Sequence, residues 1–160
     1  MKQSGQLKGR RGLKALIVIV FTILHGPVYV HGQAPADNIV GKWMSSQRNV
    51  IVEIFKETNT YQGRVVWFDD SDNKSSPMNE RIDQNNPNPA LRKQKVIGLI
   101  VLRYLTYDAM ENRWENGKIY DVQSGKKWDS SVWITKDGLL KVKGYWHFEI
   151  FGKTMTFKRV

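Results

Sequence analysis

From Ile39 onward the chain is built from short segments rich in Val, Ile, Tyr, Phe and Trp, interrupted by turn residues about every ten positions, which is the texture of a β-sandwich or barrel. No stretch carries the three-to-four-residue apolar spacing of a long amphipathic helix. Residues 50–55 and 61–68 read as strands joined by Thr58-Asn59-Thr60, and residues 97–106 as a long apolar strand. Residues 113–122 follow a polar turn, Ser124-Gly125 leads into 126–135, and Asp137-Gly138 is a short-hairpin signal before 139–150. A bend at Phe151-Gly152-Lys153 precedes a last strand over 154–159. With an opening strand at Gly41-x-Trp43, this predicts an all-β domain of about eight antiparallel strands in up-and-down order. Closure into a barrel removes the unpaired edges of such a sheet, and about eight strands enclose just enough room for one small ligand.

The front of the chain has a different character. Lys2, Lys8, Arg10, Arg11 and Lys14 occur there with no acid, and residues 15–24 are apolar apart from Thr22. The helix breakers Gly26 and Pro27 follow, and Val30-His31-Gly32 offers small residues to a signal peptidase. Residues 1–32 are therefore expected to be a cleaved signal peptide and residues 33–160 a single domain in the periplasm or secreted. The apolar run is about half the roughly 20 residues a spanning helix needs, so no membrane anchor is expected after cleavage.

Composition narrows the chemistry. The chain has no cysteine, which excludes disulfides, thiolate catalysis and thiolate metal sites. Of its three histidines, His25 and His31 leave with the leader, so His147 alone remains for the roles histidine plays in zinc sites and serine triads. The run Asp70-x-Asp72-x-Lys74 fails a calcium-loop pattern at its third ligand place. Neither an enzyme nor a metal or other cofactor is expected. The net charge of +10 is partly the leader's, and the remaining basic residues are spread along strands, so nucleic acid is not an expected partner.

The long polar interval over 69–94 breaks the strand rhythm, and a connection of that length in a small domain is functional or disordered. Its second half reads as ordered, because Asn88 is a good N-cap and Pro89 a good first residue for a short helical turn reaching about Arg92.

Several segments together resemble an exported bacterial family, "domain of unknown function 2147". They are Gly41-Lys42-Trp43, Tyr61-x-Gly63-x-Val65-x-Trp67, Asp83-x-x-Asn86-Pro87-Asn88-Pro89-Ala90-Leu91-Arg92, Gly117-x-Ile119-Tyr120-Asp121 and Leu140-x-Val142-x-Gly144-Tyr145. The resemblance implies a lipocalin-like, calycin-type barrel without an established activity. Two departures stand out: Asn88 sits where the family often has aspartate, and Glu57 and Gln62 lie where many members carry a cysteine pair. The lipocalin-like reading also pairs Trp43 with Arg159 as a structural closure of the barrel's base.

Candidate site residues follow from position. Tyr120 either points inward and lends its hydroxyl to a ligand or serves the fold, while Asp121 is expected to cap its own turn. Arg92 either ties the interval to a carboxylate such as Asp83 or binds a ligand's acid group, and Asn86 and Asn88 pose the same choice. Trp67, Trp128 and Tyr145 belong to a set of aromatics larger than one small core needs. Two functions are compatible with this pattern: binding of a small apolar or amphipathic molecule in the barrel, or a ligand-free structural or interaction module of the cell envelope. The sequence fixes no oligomeric state.

Overall fold

The computed structural model describes residues 35–146 and 149–160; the expected signal peptide and its cut site, together with His147, lie outside the described residues. Eight strands are present: β1 (Gly41–Ser45), β2 (Val50–Glu57), β3 (Thr60–Phe68), β4 (Ile100–Asp108), β5 (Arg113–Asp121), β6 (Lys126–Ile134), β7 (Leu140–Tyr145) and β8 (Lys153–Arg159). Each pairs antiparallel with the next, and β1 pairs with β8 through Trp43↔Arg159, Met44↔Lys158 and Ser45↔Phe157, closing the barrel. The all-β, up-and-down, lipocalin-like architecture read from the sequence is the one observed.

One end of the barrel is sealed by the chain just before β1. The 3-10 turn Pro35–Ile39 crosses it, and Trp114 and Trp43 donate their indole N–H groups to Ala36 O at 3.0 Å and Ile39 O at 2.8 Å. Tyr61 packs edge-on against Trp114 and donates its hydroxyl to Asp37 Oδ1 at 2.6 Å. Arg159 lies over the Trp43 ring, 4.2 Å from its centroid, and donates to Val40 O at 2.8 Å and to Asn38 O. Gly41 is required in this corner, because its φ is +133° and a Cβ would come within 2.6 Å of the Arg159 guanidinium. Above this seal Ile54, Leu105, Val132, Leu140 and Phe157 fill the lumen, leaving a void of about 30 Å³.

Two boundaries differ from the sequence reading by three residues or more. The strand expected over 97–106 begins at Ile100, because Gly98 turns the chain with φ +84° and donates to Val65 O at 2.8 Å, while Leu99 donates to Val96 O at 3.1 Å. The strand expected over 139–150 ends at Tyr145, and Glu149–Phe151 forms a 3-10 turn. There the Glu149 carboxylate is drawn to Arg113 at 2.6 Å and to the Ser131 hydroxyl at 2.8 Å, contacts an extended chain would not make.

At Glu57 and Gln62, where the resemblance places a cysteine pair in many members, Gln62 donates its side-chain amide to the Glu57 carboxylate across the β2–β3 hairpin. A hydrogen bond therefore links the two residues that stand there in this chain.

Candidate functional site

The barrel end opposite the sealed one carries the connections 46–49, 69–99 and 122–125, with Trp146 and the 3-10 turn Glu149–Phe151 between β7 and β8. The longest of these folds back on itself. Ile82 pairs with Lys95, Asp83 N donates to Gln94 O at 2.9 Å, and Val96 N donates to Arg81 O at 3.0 Å. Within it Asn88 caps the 3-10 turn Pro89–Leu91 by accepting from Ala90 N at 3.1 Å. The first half is ordered as well: Arg81 holds Asp72 and the carbonyls of Asp70 and Ser76, and its guanidinium stacks on Phe68.

Asp83 anchors this connection to the barrel. It is fully buried, and its carboxylate accepts from the Tyr120 hydroxyl at 2.7 Å and from the Asn86 amide at 2.6 Å. Burial first, and then the bond to Asp83, pushes the Tyr120 phenol up to about 12. Docking is completed at the β5–β6 turn, where Asn85 donates to Gln123 O at 2.9 Å and Gly125 packs directly against Asn85. Asp121 caps that turn, accepting from Gln123 N at 3.0 Å and from the Ser124 hydroxyl at 2.6 Å.

Between this docked connection and strands β4–β7 lies a cavity of about 820 Å³, within the roughly 300–1,000 Å³ span of small-molecule sites. Pairing of β4 with β5 stops at Leu102↔Ile119, so Ile100 and Val101 have no β5 partners. At that frayed end the wall takes residues of both alternation sets, Ile119 and Trp128 from one and Lys118, Tyr120 and Asp129 from the other. Trp128 meets Trp146 edge-to-face with ring centroids 5.6 Å apart, and Leu99 adds apolar surface.

Of the candidate ligand residues, Asn86, Asn88, Tyr120, Trp128 and Tyr145 line the cavity, while Trp67 and Arg92 do not. Trp67 is displaced by a β-bulge. Val52 pairs with Val65 but its neighbour Ile51 pairs with Trp67, so Val66 is the extra residue and Trp67 turns to the opposite face from Val65. The shared face expected for Tyr61, Gly63, Val65 and Trp67 therefore ends at Val65. Arg92 makes neither contact considered for it: its Nε donates to Asn86 O at 2.8 Å, bracing the connection from within. The hydroxyl of Tyr120 and the amide of Asn86 are both engaged by Asp83, which assigns their polar groups to the anchor and leaves their remaining surface to the wall.

Sequence reasoning missed the charged part of the lining, Arg103, Lys118, Lys127 and Asp129. On one-dimensional inspection each is an ordinary solvated strand residue. Only the register brings them together, through Arg103↔Lys118 and Lys118↔Asp129.

Comparisons with known proteins agree with this architecture. A family profile described as "Uncharacterized protein conserved in bacteria (DUF2147)" matches residues 41–159. A solved Helicobacter pylori protein, described as belonging to the lipocalin family, superimposes with a TM-score of 0.63. The two chains are 24% identical, and the match covers 76% of this chain and 82% of that one. No curated protein shows significant similarity to the chain.

Proposed function

The chain belongs to the DUF2147 family of uncharacterised bacterial proteins, and we propose that it is an exported binding protein that holds a small apolar or amphipathic molecule at the open end of its barrel. The observation that carries this reading is the contrast between the two ends. The sealed half is packed to a residual void of about 30 Å³, whereas the other half holds about 820 Å³ lined by Leu99, Ile119, Trp128 and Trp146. A module working only through its outer surface has no need of such a cavity, since native interiors otherwise pack densely. The lipocalin-like fold is compatible with this role. Binding rather than catalysis is favoured because the one carboxylate in the cavity lining is engaged: Asp129 forms an ion pair with Lys118.

Export rests on the basic start, the apolar run and the small residues at Val30-His31-Gly32. It is tested by the intact mass of the protein recovered from the periplasm or medium, which should be short by the mass of residues 1–32; full-length protein in the membrane fraction would contradict it.

Binding is tested with N-phenyl-1-naphthylamine. A cavity that accepts apolar molecules gives saturable probe fluorescence and quenches tryptophan emission, because Trp128 and Trp146 stand in its wall. Absence of any saturable change would remove the binding reading and favour the ligand-free module.

A further inference from the structure

We propose, resting on the binding reading above, that the cavity takes a single-chain amphiphile with an anionic head, its chain against Leu99, Ile119 and Trp128 and its head at Arg103 and Lys127. The wall holds three cations, Arg103, Lys118 and Lys127, against one carboxylate, Asp129. That carboxylate is already taken, because Lys118 forms an ion pair with it across the β5–β6 ladder. Among the described residues the side chains of Arg103 and Lys127 have no hydrogen-bond or ion-pair partner, so the cavity carries two uncompensated positive charges.

Their placement relative to the apolar wall matters. On β6, Lys127 directly precedes Trp128, and its pairing partner is Tyr120. On β4, Arg103 follows Leu102, whose partner Ile119 reaches the inner void as well as the cavity. Both cations are solvent-exposed while Leu99 is buried, so charge sits toward water and apolar surface toward the barrel. That polarity matches a molecule with a charged end and an aliphatic end. Arginine adds a planar fork suited to a carboxylate or a phosphate, and Asn88 and Gln94 line the same cavity as neutral donors.

The test compares three ligands of one chain length, each below its micelle concentration: dodecanoate, dodecanol and dodecyltrimethylammonium. Titration at low ionic strength should show dodecanoate binding about tenfold or more tighter than dodecyltrimethylammonium, a difference of about 1.4 kcal/mol. Arg103→Gln with Lys127→Gln should weaken dodecanoate by about tenfold and leave dodecanol unchanged, and added salt should act in the same direction. Equal affinity for all three ligands would overturn the head-group inference while leaving the binding reading intact. Failure of all three to bind would overturn both. A double variant that loses dodecanol as well would show that these residues shape the wall and not the charge preference, which also overturns the inference.

Discussion

Tyr120 on β5 donates its hydroxyl to Asp83 Oδ1 at 2.7 Å, joining residues 37 positions apart and fixing the long connection to the barrel wall. The phenol is pushed up to about 12 by burial and by this bond, so the fold favours its neutral form. Its contribution to stability is therefore complete below the ordinary tyrosine value near 10 and is lost as pH rises toward 12. Tyr120→Phe leaves the buried Asp83 carboxylate with Asn86 as its remaining side-chain partner, and should cost about 1–3 kcal/mol at neutral pH. Urea unfolding of both proteins at pH 7 and pH 11 checks this: the gap between them should narrow at the higher pH. A gap independent of pH would contradict the assigned role.

Trp43 and Arg159 should behave as a coupled pair at the sealed end. Trp43→Ala removes a buried indole and should cost about 3–5 kcal/mol, whereas Arg159→Ala should cost less. A double-mutant cycle should return a coupling of about 0.5–1 kcal/mol, as expected for a cation over an indole at a site open to solvent. Probe binding at the far end should be unchanged in any variant that remains folded.

Legibility in the sequence followed the range of the interaction. Asn88-Pro89-Ala90 is a local motif, and its cap was readable because Asn88 bonds to a backbone group two residues away. The order and hand-over of the strands were readable because Gly125 and Gly138 mark tight turns with positive φ. Trp67 was misplaced because one extra residue, Val66, shifts the alternation, and the signal for that lies in the pairing with Ile51 and Val52. The charged wall was invisible for the same reason on a larger scale: Arg103, Lys118 and Asp129 meet only through the register of three strands.

Arg92 braces the connection without reaching the cavity, and its replacement should separate stability from ligand contact. In Arg92→Ala the Asn86 carbonyl loses its side-chain donor, at a cost of about 1 kcal/mol. Limited proteolysis should cut within residues 83–94 faster than in the parent protein, and the melting temperature should fall. Since Arg92 offers no group to the cavity, a variant that kept its melting temperature but lost dodecanoate would contradict this placement.

The docking of the connection onto the β5–β6 turn can be tested with two glycines that share a backbone conformation and differ in surroundings. Gly125 has φ +69° and Gly138 has φ +78°, so alanine at either position adopts a left-handed conformation costing about 1–2 kcal/mol. At Gly138 a Cβ meets nothing within 4 Å, and Gly138→Ala should show that strain alone. At Gly125 the Cβ would lie 2.1 Å from the Asn85 carbonyl oxygen and 3.7 Å from Pro87 Cδ. The contact involves backbone and no flexible side-chain tip, so relief requires the connection to lift from the turn, straining the bond from Asn85 to Gln123 O. Asn86, Pro87 and Asn88 follow Asn85 directly into the cavity wall, so that displacement alters the site itself. Gly125→Ala should therefore be the more destabilised variant and should also bind N-phenyl-1-naphthylamine more weakly, while Gly138→Ala binds it as the parent does. Equal losses of stability with unchanged binding in both would mean that the turn and the connection are not in the close contact that closes this side of the cavity.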